Sequence, residues 1–149
     1  MPKLLGIAYK TTRRGTMNEV FCANVTQLKG VENDIFGRPG KRQVTIISQQ
    51  QWLQACQSIQ ADLPWITRRA NLLIDGLMFN RADVGKHLLI GELRLEITGE
   101  TDPCQKIEIA HTGLEAALSP DWRGGVTCRV IHNGMIHLGD DVEILIVTI

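Results

Sequence analysis

The sequence predicts a mainly β protein, a barrel or sandwich with two short helices, and three observations carry that expectation. Short runs rich in Val, Ile, Thr and Phe recur along the 149 residues, and such runs fit the pleated, half-buried surface of a strand. Between Leu88 and Thr98 the pattern alternates: Leu93, Leu95 and Ile97 point one way, Arg94 and Glu96 the other. Gly, Pro, Asn and Asp punctuate the chain regularly, and only two stretches show helical spacing, which argues against a doubly wound α/β sheet.

The elements follow in order. Lys3 to Lys10 is a first strand and Asn18 to Gln27 a second. Gly30 to Lys41 is a polar loop, broken by Ile35 and Phe36, and Arg42 to Ile47 is a β run. Ser48 and Gln51 form a capping-box pattern, and Trp52, Cys56 and Ile59 recur at helical spacing, with Pro64 beyond the helix end. Asn71 to Ile74 is extended. Thr112 and Glu115 suggest a second cap, with Leu114, Ala117 and Leu118 as the apolar side of a helix that Pro120 ends. Val126 to His132 and Met135 to Leu138 flank Asn133-Gly134, a strong hairpin signal. Val142 to Ile149 is the last strand.

Composition sets bounds. A chain of this length is expected to be one domain, residues 1–149, and large enough to stand without disulfides or metal. Sixteen basic residues balance sixteen acidic ones, so no overall field draws nucleic acid or an anionic membrane, though local anion sites are compatible with that balance. No apolar run approaches the roughly 18 residues of a membrane span. The N-terminal Leu4 to Tyr9 stretch is too short for a signal peptide, and Cys22, Cys56, Cys104 and Cys128 form no C-x-x-C pair. They read as reduced thiols in the cytoplasm. There is no P-loop, no G-x-G-x-x-G after a strand and no G-x-S-x-G.

Cys128 is the first candidate for chemistry. It lies in a β run after Gly124-Gly125, which would let a ligand approach the backbone. A two-residue turn at Asn133-Gly134 would pair His132 with Met135, Val130 with His137 and Cys128 with Gly139. Cys128 would then share a face with His132 and His137. An imidazolium there would favour the thiolate, and two His with one Cys would form a zinc site of non-standard spacing. The plain alternative is a buried core cysteine. Arg42 and Arg129 flank this region and suit bidentate phosphate binding, with Arg68 and Arg69 further candidates. Asn71, at a strand entrance, would either orient a ligand or cap a turn. Cys104, after Pro103, would pack under its loop or act as a resolving thiol for Cys128. Cys22 and Cys56 fit core patterns.

Taken together, these segments resemble the MOSC domain, named for the C-terminal part of molybdenum cofactor sulfurases. Gly30 to Asp34 and Gly40 to Ile47 resemble its first block, Arg69 to Leu72 with Gly76 its second, and Gly85 to Gly91, Leu95 to Gly99 and Pro103-Cys104 its third. Gly113 to Leu118, Gly124-Gly125, Cys128 to Ile131 and Gly139-Asp140 complete the likeness. The resemblance implies a partly closed β-barrel with a few short helices. It places the family's characteristic cysteine on Cys128, as a molybdenum ligand of the pterin cofactor or as a persulfide carrier. Arg42, Asn71, Gly124, Gly125 and Arg129 become cofactor contacts. A molybdenum-cofactor-binding or sulfur-carrier protein is the leading expectation. The alternatives are a reductase of N-hydroxylated compounds that draws electrons from a reductase partner, and a non-catalytic module delivering cofactor to a molybdoenzyme. A cysteine desulfurase would be the partner for sulfur; pyridoxal phosphate enters only as an association at family level. Many relatives carry Gly-Asp-x-His before the Arg-Gln-Val strand, and Phe36 stands where that histidine would be. Its chemistry is therefore absent here, which favours cofactor or sulfur handling over full reductase activity.

Overall fold

The computed structural model describes residues 1–147. The expected run of the last strand through Thr148 and Ile149 lies outside the described residues.

Eight strands form one curled sheet in the order β11-β7-β8-β9-β5-β6-β1-β2. They are β1 (Lys3–Tyr9), β2 (Asn18–Glu19), β5 (Val44–Ser48), β6 (Leu72–Asp75), β7 (His87–Ile90), β8 (Leu93–Glu100), β9 (Val126–His132) and β11 (Val142–Leu145). A second sheet, β10-β3-β4, joins β3 (Cys22–Thr26), β4 (Gly30–Val31) and β10 (Gly134–His137). The large sheet nearly closes on itself. Lys3 bridges Asp141, and the Leu4 N–H donates to the Asp140 carbonyl at 2.9 Å. The result is the partly closed barrel that the strand pattern and the resemblance both indicate.

Alternation fills the barrel. Leu93, Leu95 and Ile97 are wholly buried, and they meet Val126, Cys128 and Val130 of the neighbouring strand in one core with Leu4, Val44, Ile46 and Leu72. Each such side chain contributes about 1.5–3 kcal/mol relative to exposure. β5 and β6 run parallel, so a crossover must join them, and helix α1 (Gln49–Ser58) supplies it. Trp52, Ala55 and Cys56 of α1 pack on Ile47 and Leu73, together with Ile107 of α2 (Gln105–Ala110) and Leu114 and Leu118 of α3 (Leu114–Leu118).

The structure corrects several local expectations. The Ser48 hydroxyl accepts the Gln51 N–H at 3.2 Å, as a cap should. The Gln51 carboxamide does not return the bond. It donates to the carbonyls of Phe79 and Asp121 at 2.9 and 2.8 Å instead. The Thr112 cap does not form; the Glu108 carboxylate accepts the Gly113 and Glu115 N–H groups at 2.7 and 3.0 Å, so α2 caps α3. The run from Asn18 to Gln27 splits at Val20-Phe21, because β2 joins β1 while β3 joins β10. Cys22 is exposed rather than core.

The predicted hairpin is also absent. β9 is flanked by β8 and β5, which occupy both its edges, and β10 pairs with β3. Asn133-Gly134 is the point where the chain changes sheet. The Asn133 Oδ1 accepts the Gln27 N–H at 2.7 Å, and Gly134 lies so close to the Leu93 backbone that a Cβ would collide with it. Cys128 therefore stands opposite Val44 and Ile97, not Gly139.

Candidate functional site

Cys128 faces the barrel interior and has no accessible surface. Burial pushes its thiol far above the ordinary range, and nearby Glu96 pushes in the same direction. A neutral thiol sealed among Leu, Ile and Val has the surroundings of a packing residue and no open path to its sulfur, unlike the accessible thiol expected at Cys128. His132 and His137 are exposed, and the described residues hold no cluster of three His, Cys, Asp or Glu groups suited to a metal. The zinc reading falls with the hairpin.

Four other expected contacts have structural partners of their own. Gly124 and Gly125 are buried, and a Cβ at either would collide with backbone carbonyls, of Thr101 and Ile46 respectively. Their openness serves chain packing, not ligand approach. Arg129 projects from the exposed side of β9 and is ion-paired with Glu96. Asn71 does line a cavity, but its amide is a clamp between strands. Its Oδ1 accepts the Thr45 N–H at 3.1 Å, and its Nδ2 donates to the Ala8 carbonyl at 3.1 Å. It ties β5, β6 and β1 together, a role neither expected alternative covers.

Of the expected arginines, Arg68 and Arg69 line a cavity, and so does Arg42. It lines a cavity of about 510 Å³ with Lys10, Phe36, Arg38, Lys41 and Arg69. A second cavity, of about 600 Å³, carries Arg13, Arg14, Arg68, Cys104 and Lys106, and shares Lys10, Phe36 and Arg69 with the first. Among the described residues Asp34 is the sole carboxylate on either wall, and one of its oxygens already accepts the Lys10 backbone N–H at 3.1 Å. No ion pair among the described residues involves any of the lining cations. A chain of zero net charge thus concentrates unpaired positive charge in one cleft.

Local structure sets this arrangement. Lys10 ends the first strand run with 9% of its surface accessible, its ammonium 4.9 Å from the Phe36 ring centroid and donating to the Arg13 carbonyl at 3.3 Å. Burial, then the Arg69 charge, lowers its pKa. Arg68 ends the short 3₁₀ turn Trp65–Arg68. Its guanidinium donates to the Gly124 and Thr101 carbonyls, both at 3.1 Å. Burial disfavours the Arg68 charge, while a Cys104 thiolate and Asp102 support it. Arg69 then adopts a left-handed φ of 65°, strained for a side chain of this size, where the chain turns towards β6.

Cys104 is the exposed residue immediately before α2. It neither packs under its loop nor faces Cys128. It stands on the rim of the cationic cleft, where a soft nucleophile would meet an anionic ligand. Sequence reasoning gave this thiol only a resolving role beside Cys128 and did not single out Lys10 as a site residue. The signal for the cysteine was available: Val126, Cys128 and Val130 share one parity of an apolar strand, whereas Cys104 follows a proline in a loop.

A family model described as the MOSC domain matches residues 14–143. The YuaD protein from Bacillus subtilis has a similar solved structure, with a TM-score of 0.81 at 17% identity, covering 97% of this chain and 96% of that one. YiiM from Geobacillus stearothermophilus gives 0.76 at 16% identity, over 98% of this chain and 76% of that one. YiiM from Escherichia coli gives 0.73 at 16%, over 98% and 71%. Among curated proteins none matches. At these identities the solved structures speak to the fold alone, but the family match spans most of the sequence, and the chain belongs to the MOSC domain family.

Proposed function

We propose that this protein binds molybdenum cofactor, or carries sulfur for it, in the cationic cleft, with Cys104 as the thiol that meets the ligand. The family is associated with that cofactor. The observation that carries the reading is an exposed thiol on the rim of a cavity lined by unpaired cations. The donor set fits the group. Arg13, Arg14 and Lys106 suit a phosphate, and a cysteine thiolate suits a sulfur-ligated metal or a sulfane sulfur. The cofactor, when bound, supplies a molybdenum centre for oxygen or electron transfer.

The chain's own groups have distinct tasks. Arg68, fixed by two backbone carbonyls, is a positioned charge on the same cavity wall as Cys104. Lys10, nearly buried, joins the two cavities and is held by Phe36 and the Arg13 carbonyl. For sulfur carriage, the Cys104 thiolate attacks the outer sulfur of a donor persulfide. A new S–S bond forms, the donor's S–S bond breaks, and the donor leaves as a thiolate. A cysteine desulfurase is the fitting class of donor, and a molybdoenzyme the fitting acceptor of the loaded product. An aromatic ring at Phe36 offers no proton relay at the junction, which favours binding or carriage over reduction.

The test is molybdenum and pterin content after expression in a cofactor-producing host, with Cys104→Ser and Cys128→Ala alongside. Cys104→Ser should lose the bound cofactor or, in a cofactor-free host, the persulfide. Cys128→Ala should keep both in its folded fraction. Retention in Cys104→Ser with loss in Cys128→Ala would overturn the assignment.

A further inference from the structure

The outer face of the small sheet carries chemistry that the cleft does not use. On β3, Ala23 and Val25 are buried, while Cys22 and Asn24 are exposed. On β10, Gly134 and Ile136 are buried, while Met135 and His137 are exposed. The antiparallel register sets His137 directly opposite Cys22, and Met135 opposite Asn24. Side chains opposite each other on one face have Cβ atoms about 4.5–5.5 Å apart, and a diagonal neighbour is within reach of a long side chain. Met135 is diagonal to Cys22, so a thiol, an imidazole and a thioether share one patch of sheet. None of the three residues lines either cavity of the cleft.

His137 has a carboxylate behind it. Asp140 Oδ2 accepts the His137 backbone N–H at 2.8 Å and lies 3.8 Å from Nδ1 of the same residue. A carboxylate at one ring nitrogen orients the imidazole and leaves the other, Nε2, to coordinate, as behind most metal-ligating histidines.

We infer that Cys22, His137 and Met135 form a binding site for a soft monovalent metal ion, Cu(I). The donor set selects the ion. Thiolate and thioether sulfur favour Cu(I), which is satisfied by two or three ligands. Zinc takes four ligands, and no group of three His, Cys, Asp or Glu side chains suited to a metal occurs among the described residues. On binding, the Cys22 thiol releases its proton and a Cu–S bond forms. The ion keeps its oxidation state, so no oxidant or reductant takes part. The inference is independent of the cofactor reading, since it uses neither Cys104 nor the cationic walls.

Competition against the bicinchoninate complex of Cu(I), under nitrogen, tests it in the full-length Cys104→Ser protein, which lacks the other exposed thiol. That protein should withdraw one equivalent of Cu(I) from the chelator. Iodoacetamide should then label Cys22 roughly tenfold more slowly than in the metal-free protein, because the coordinated sulfur is no longer a nucleophile. Adding His137→Asn should weaken binding by roughly a hundredfold, and Asp140→Asn by about tenfold through its hold on the ring. Met135→Leu should weaken it by roughly tenfold, since a thioether is a soft ligand and leucine is none. Cys22, Met135 and His137 are exposed, so their replacement leaves the core intact. Uptake unchanged by His137→Asn would reduce Cys22 to an isolated surface thiol and overturn the site. Zn(II) shielding Cys22 as strongly as Cu(I) does would overturn the choice of ion.

Discussion

Iodoacetamide at neutral pH should label Cys104 and Cys22, which are exposed, and leave Cys56 and Cys128 unmodified until denaturant is added. Alkylation requires both an approach path and a thiolate, and Cys128 lacks both because the same burial that blocks the reagent raises the thiol pKa. Peptide mass spectrometry of the native protein reads the outcome; labelling of Cys128 at the rate of Cys104 would contradict the core assignment. Residue types at the site were partly legible. Arg42 and Phe36 stand at the cleft because their segment lies in a loop and a strand entrance that local pattern identifies. Lys10 was not legible, since its near-burial comes from Phe36 and Arg13 closing over it, contacts that depend on how the loop after β1 and the loop before β5 meet. The burial of Cys128 was overlooked for a different reason. Its resemblance to a family position outweighed the inward parity of Val126 and Val130.

Among the elements, α2 and α3 set the geometry of the thiol, because Cys104 immediately precedes α2 and Lys106 lies within it. Six and five residues long, they are too short to hold by propensity alone. The Glu108 carboxylate links them by accepting two N–H groups at the start of α3. Those bonds hold its pKa below the usual carboxylate value. A depressed carboxylate contributes stability that is present above its unfolded pKa and is lost as pH falls through the folded value. Wild type should therefore be more thermostable than Glu108→Gln at neutral pH, and the gap should close in acid as the folded carboxylate protonates. Melting curves of both proteins from neutral to acidic pH measure this; a gap that persists unchanged in acid would show that charge is not the cause. Neither the cap nor α2 was visible beforehand. Glu108 lies five residues from the first N–H it binds, outside the capping-box spacing, and a single apolar anchor, Ile107, gives α2 no periodicity to detect. Strands fared better, because parity is written into each one locally, as in Leu93, Leu95 and Ile97.

At the scale of the whole molecule, strand identity was legible while strand partnership was not. Partners are separated by long stretches of chain, and a dipeptide such as Asn133-Gly134 has the same composition whether it closes a hairpin or carries the chain between sheets. The residue that joins the two sheets at the cleft is Gln43. Its Nε2 donates to the Gln27 and Gly37 carbonyls at 2.8 and 3.1 Å, and its Oε1 accepts the Val130 N–H at 3.0 Å. One buried side chain thus ties the Gly30–Lys41 loop and the end of β3 to the barrel strand β9, and it lines the Arg42 chamber as well. Gln43→Leu keeps the volume but leaves these backbone groups without partners. The expected loss is roughly 2–4 kcal/mol, from unpaired buried polar groups at about 1–3 kcal/mol each. At about 2–4 °C per kcal/mol for a chain of this size, the melting temperature should fall by roughly 5–15 °C. Native-state hydrogen exchange separates the cause from a general loss of stability. The Val130 amide should exchange faster in Gln43→Leu by more than the amides of β7, which share the barrel core but no bond to Gln43. Uniform acceleration across β7 and β9 would mean that Gln43 is ordinary packing rather than the tie between the sheets.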